Sequence, residues 1–133
     1  MADSYAILLK TVIAAMKAAS PLTSLVGQRI YNDVPDNPDF PYVVVGINPA
    51  PYDTKTETGM EHTMQMSIFS RKTSSIEAAN IRTAIYNLLH RQESALTAAA
   101  VDNIIFTGLA PTFKEPDGQT WQAIIQFRVV IGD

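Results

Sequence analysis

The chain contains no cysteine. That excludes disulfides and thiolate metal centres, and it leaves His62 and His90 as the only soft ligands. Charge is also scarce, since Asp, Glu, Lys and Arg make up 17% of the 133 residues against 47% apolar, with a formal charge of −3. An acidic balance disfavours a dedicated nucleic-acid binder, which presents a basic stripe; nucleic acid could pass without being gripped. No apolar run reaches the roughly 18–20 residues of a membrane span, and MADSYAILLK has no basic region before its short apolar stretch. No segment is enriched in Pro, Gly or charge like a disordered tail. The expectation is a soluble, intracellular protein forming a single domain over 1–133, able to bury about two thirds of its extended surface.

Hydrophobic spacing supplies the elements. Tyr5, Leu8, Leu9, Val12, Met16 and Ala19 fall on one helical stripe, with Asp3 or Ser4 as N-cap and Ser20-Pro21 as the stop. A second helix starts at Ser74, whose spacing to Glu77 fits a capping box. It carries Ala78, Ile81, Ile85, Leu88 and Leu89 on one face and ends near Arg91, a cation suited to the helix C-terminus. Between the helices, Gln28 to Tyr31 reads as a short extended piece and Tyr42 to Ile47 as a buried strand. His62 to Ser70 alternates, with Met64, Met66 and Ile68 on the core face. Pro49 to Glu61 reads as a long polar connection. Ile104 to Phe113 and Thr120 to Ile131 flank Glu115-Pro116-Asp117-Gly118 as a hairpin. The order helix, strands, helix, strand hairpin predicts an α+β fold, with two main helices on one face of a mainly antiparallel or mixed sheet.

Catalytic patterns are sparse. Glu61 and His62 are adjacent in a strand and therefore point to opposite faces, which prevents them from sharing a proton or metal. His62 reads as a solvated strand-end residue and His90 as a partly exposed cation at a helix C-terminus. Asp33, Asp36 and Asp39 cluster among prolines but lack the Gly and closing Glu of a calcium loop, so they read as a connecting loop. The glycines form no phosphate-binding pattern, and no Ser has a histidine at triad spacing. The reading is a non-enzyme without cofactor or metal.

The final strand poses the functional question. Trp121, Ala123, Ile125, Phe127, Val129 and Ile131 share one parity and form the expected core face. The other parity carries Gln122, Ile124, Gln126, Arg128 and Val130, more apolar than water requires, so a helix or another subunit should cover it. The polar connection offers a second candidate. It is expected to project and order on assembly, with Tyr52 and Met60 as anchors and Asp53, Lys55, Glu57 and Glu61 at the rim.

Five passages in order, IYNDVP to FPYVVV, DTKTETGMEHT, the strand ending SR, the helix ending LLH and EPDGQTW, resemble the tail completion and tail terminator proteins of long-tailed bacteriophages, which include head-to-tail joining proteins. The resemblance spans nearly the whole chain. It implies a structural virion protein at the head-proximal end of the tail, assembled in the bacterial host cytoplasm. There a ring of six copies would end the tail tube and meet the head connector. The implied partners are further copies of itself, the tail tube protein and the head connector or head-closure protein, with DNA passing through unbound and no membrane involved. A head-closure or minor tail protein and a small nucleic-acid-binding module are the alternatives. The implied contacts place the spare apolar side chains of the last strand partly under the second helix and partly under a neighbouring subunit.

Overall fold

Leu8, Val12 and Met16, four residues apart, put one fully buried stripe on α1 (Tyr5–Ala18). In this computed structural model, which describes residues 4–53 and 58–132, Ser20-Pro21 turns a corner where a stop was expected. Ala19 is extended at φ −91°, and α2 (Ser20–Val26) starts at once with Pro21 in its first turn. A missing N–H costs nothing there, because no carbonyl precedes it to be bonded. The two axes differ by 82°, and among the described residues no single helix is long and apolar enough to cross a membrane. Leu22 and Val26 bury α2 in the same core as α1.

The helix α3 (Ile76–Leu89) buries Ala78, Ile81, Ile85 and Leu89. Each large side chain there contributes about 1.5–3 kcal/mol of transfer free energy. The expected capping box does not form. Ser75 is the N-cap, with no side-chain cap bond, and Glu77 Oε1 accepts from Ser70 Oγ at 2.6 Å. The carboxylate therefore ties the helix to the strand before it. The helix also ends at Leu89, because Arg91 turns left-handed at φ 56° and gives its N–H to Ile104 O at 3.0 Å. A 3-10 segment, Glu93–Ala99, follows beside α1. It was not anticipated, since one fully buried residue, Leu96, sets no readable period.

Five strands form one sheet in the order β1-β2-β3-β5-β4: β1 (Ile30–Tyr31), β2 (Tyr42–Asp53), β3 (Thr58–Ser70), β4 (Asn103–Lys114) and β5 (Trp121–Gly132). Only β1 and β2 are parallel. The sheet is therefore mixed and mainly antiparallel, as expected. Val43, Val45, Met64, Met66, Ile68, Ala123, Ile125, Phe127 and Val129 face the helices and form one cluster with their buried residues.

The stretch expected to be a long polar connection is mostly strand. β2 and β3 pair continuously from Tyr42↔Phe69 to Asp53↔Thr58, so only residues 54–57 separate them. Pro49 and Pro51 are tolerated because of their parity. Val43, of the same parity, sends its N–H away from β3 to Arg29 O, so the nitrogens at 49 and 51 also face the free edge and no β2–β3 hydrogen bond is lost.

Candidate functional site

The sheet face turned away from the helices is built from the alternate residues of every strand. At one end lie Tyr42, Phe69, Gln122 and Phe113, neighbours across β2, β3, β5 and β4. The next row is Tyr31, Val44, Ser67, Ile124 and Ala110, followed by Gly46, Gln65, Gln126 and Gly108. Asn48, Thr63, Arg128 and Ile105 come next, and Glu61, Val130 and Asn103 close the surface.

Its chemistry is graded along the strands. At the first end, Tyr42 stacks on Phe69 with ring centroids 5.0 Å apart, and Phe40 lies 5.0 Å from Tyr42 on its other flank. The Arg71 guanidinium sits 4.2 Å over the Phe40 ring, a cation–π contact that orients it together with its hydrogen bond to Thr120 Oγ1 at 3.1 Å. Burial pushes the Tyr42 phenol above its usual value; the Arg71 charge opposes this and the Glu115 charge adds to it. In the middle, Gln126 Nε2 donates to Gln65 Oε1 at 3.0 Å. At the far end, Arg128 meets Glu61 through two contacts, Nε to Oε1 at 3.0 Å and Nη2 to Oε2 at 3.4 Å. Both side chains are exposed, so the pair adds little to stability and presents a fixed, partly neutralised rim.

The expected candidates are distributed as follows. Glu61, Ile124, Gln126, Arg128 and Val130 come together on this face, with Arg128–Glu61 joining a residue expected in the loop to one from the last strand. Tyr52 and Asp53 belong to β2, opposite Gly59 and Thr58, while Lys55 and Glu57 lie outside the described residues. Met60 is 8% exposed and lies on the helix side beside Ile131, so it packs inside the chain and does not project as an anchor. The second helix does not cover Ile124 and Val130, because α3 packs on the opposite, Ile125-bearing face. A helix can follow only one parity of a strand.

Both histidines depart from expectation. His62 is fully buried, not solvated, with Nε2 2.8 Å from Ser4 Oγ at the start of α1. The extension of β3 back to Thr58 moves His62 away from the strand end, and the parity it shares with Met64 and Met66 turns it into the core. His90 Nδ1 accepts the Phe106 N–H at 3.1 Å, and the ring stacks on Tyr86. Its Nδ1 is thus tied into the chain as an acceptor, where a partly exposed helix-end cation was expected. Among the described residues no group of three or more His, Asp or Glu is placed to hold a metal.

The aromatic end was missed from sequence. Its signal was present as Tyr42 and Phe69, each at the terminus of an alternating run, but only the register between the runs stacks them. The hairpin beside it is held by Asp117. Its Oδ2 accepts from Thr120 Oγ1 at 2.7 Å, its Oδ1 accepts the Gln119 and Thr120 N–H groups at 2.9 Å each, and Arg71 lies 3.7 Å away. The Thr120 hydroxyl first, then the Gln119 N–H, hold this carboxyl below the usual Asp value. A depressed folded-state value stabilises the fold above the unfolded Asp range, near pH 3.9, and that stabilisation fades as pH falls below it. Melting temperatures of the wild type should drop more steeply below pH 4 than those of Asp117→Asn; parallel curves would remove this role.

A family model described as "Tail completion protein gp17" matches residues 10–132 of the chain. Among solved structures, one chain of "Virion of native gene transfer agent (GTA) particle" is 18% identical, covers 100% of both chains and superposes with a TM-score of 0.84. At that identity the likeness speaks for the fold. No curated protein matches.

Proposed function

From the premise that this chain belongs to the tail completion protein gp17 family, and so is structural and acts in the tail region, we propose that it closes the head-proximal end of the tail. In this reading a ring, with six copies as the working number, ends the tail tube and meets the head connector. The observation that carries the reading is the helix-free sheet face. Val44, Ile124 and Val130 are only partly covered there by the chain itself, and they lie beside aromatic rings and an oriented arginine. Apolar and aromatic centres with polar rims are the anatomy of protein interfaces. Two pairs on the same face, Gln65–Gln126 and Arg128–Glu61, are already joined to each other, which lowers the cost of taking them out of water.

Chemistry of substrate conversion has no part in this role. Tyr52, Asp53, Lys55, Glu57 and Glu61 are proposed as contacts to tube or connector, with Ile124, Gln126, Arg128 and Val130 meeting the neighbouring copy. The formal charge of −3 per chain disfavours gripping phosphates, so DNA slides through a ring of such subunits.

Deleting the gene tests this. Particles should then contain filled heads and separate tails, with infectious titre restored when the chain is supplied from a plasmid. Imaging of the restored particles should show a ring of this chain between tube and head. Joined particles in normal yield without the gene would overturn the reading.

A further inference from the structure

A groove of about 350 Å³ lies between α3 and β4, walled by Ala79, Arg82, Thr83, Tyr86 and Phe106 over a floor of Ile125. Tyr86 and Phe106 meet edge to face with centroids 5.1 Å apart, which fixes the shape of the apolar wall. On the opposite wall Arg82 Nη1 donates to Ala110 O at 2.7 Å, a neutral partner that leaves the charge uncompensated. Two nearby acidic residues, Glu77 in the first turn of α3 and Glu93 at the start of the 3-10 segment after it, are engaged elsewhere. Glu77 binds Ser70 Oγ at 2.6 Å, and Glu93 Oε2 accepts the Ile104 N–H at 3.0 Å. Among the described residues Arg82 has no ion pair. A half-buried guanidinium beside an apolar wall selects an occupant with an apolar body and a carboxylate.

The chain itself displays such a group. Among the described residues its exposed large hydrophobics are Ile7, Leu25, Ile76 and Phe113. Ile7 and Leu25 have no acidic residue among their described neighbours within four positions, and the one beside Ile76 is the engaged Glu77. Phe113, 42% exposed, stands two residues before Glu115, where the β4–β5 hairpin begins its turn. Glu115 makes no ion pair among the described residues.

We propose that the α3–β4 groove of one copy receives the β4–β5 hairpin of a second copy, with the Phe113 ring against Tyr86 and Phe106 and the Glu115 carboxylate on Arg82. This rests on the reading that copies of the chain associate. Groove and hairpin lie at different places on the molecule, so the contact is head-to-tail, and such contacts propagate into rings when the rotation closes. It also brings the neighbour's helix layer against the aromatic end of the open sheet face, where Phe113 belongs.

The test uses charge reversal followed by mixing. Arg82→Glu and Glu115→Arg, each verified as folded by near-UV circular dichroism, should weaken self-association at least tenfold in sedimentation equilibrium and lower incorporation into particles. An equimolar mixture of the two variants should recover association, because each groove then meets a hairpin of opposite charge; a purely internal role for either residue predicts no recovery. If Arg82→Glu does not fold, Ala79→Trp, which fills the groove, takes its place, and its equimolar mixture with Glu115→Arg should recover dimers through the intact hairpin of the one and the intact groove of the other. Folded single variants that associate like wild type, or that stay impaired on mixing, overturn the docking while self-assembly stands. A wild-type chain that is monomeric at every concentration and present as one copy per particle overturns both.

Discussion

The Phe127→Ala variant is expected to lose about 3–5 kcal/mol of stability, read from urea denaturation. Phe127 is fully buried, lies opposite Met64 on β3 and Phe106 on β4, and meets the Phe106 ring edge-on at 6.3 Å. Truncation removes a large transfer free energy and leaves a void at the centre of a continuous sheet, where neither flanking strand can move inward without disturbing its ladder. Against a typical total of about 5–15 kcal/mol, that is a large share. The adjacent Arg128→Ala variant is the internal control. Its side chain is exposed and paired only with exposed Glu61, so it should cost no more than about 1 kcal/mol. One step along the strand thus separates the largest expected effect from one near zero. Similar costs for the two variants would mean that the parity of β5 is wrong.

That parity was legible from sequence because it is local. Trp121, Ala123, Ile125, Phe127, Val129 and Ile131 put an apolar residue at every second place, and one buried face sets the period of two. The core positions Met64, Met66 and Ile68 and the turn at Asp117-Gly118 followed from the same kind of reasoning. Features set by distant partners were not legible. The extension of β2 through Pro49 and Pro51 depends on which edge their nitrogens face, which only the pairing with β3 decides. The aromatic stack of Tyr42 on Phe69 depends on that register too. His62 looked like a polar strand end until β3 reached back to Thr58 and placed it beside Ser4. Glu77 looked like a helix cap because its spacing to Ser74 allowed one, but Ser70 offered a closer partner. Assigning α3 to the open face was an error of geometry, since the core parity of β5 already required the helix on the other side.

The Ile124→Lys/Val130→Lys double variant is expected to remain folded yet to lose assembly by roughly 100-fold or more. On the fold the effect is small, because both side chains are only partly covered and lie on the helix-free face, opposite Ser67 and Glu61 respectively. Changes in strand preference span only about 1 kcal/mol per site, and a lysine at 130 can lean toward Glu61. On an interface the same substitutions are severe. Two ammonium groups would enter a contact whose existing polar groups, Gln65–Gln126 and Arg128–Glu61, are already engaged. An unpaired charge taken out of water costs several kcal/mol, and about 2.8 kcal/mol already corresponds to 100-fold in association. Ala98→Lys, at an exposed position on the 3-10 segment, adds one charge away from this face and should incorporate normally. The measurements are the melting temperature, the sedimentation profile over a concentration series and the amount of chain recovered in purified particles. A double variant that melts within a few degrees of wild type and still enters particles at wild-type yield would show that this face stays in water in the virion. The apolar side chains at 124 and 130 would then need another explanation.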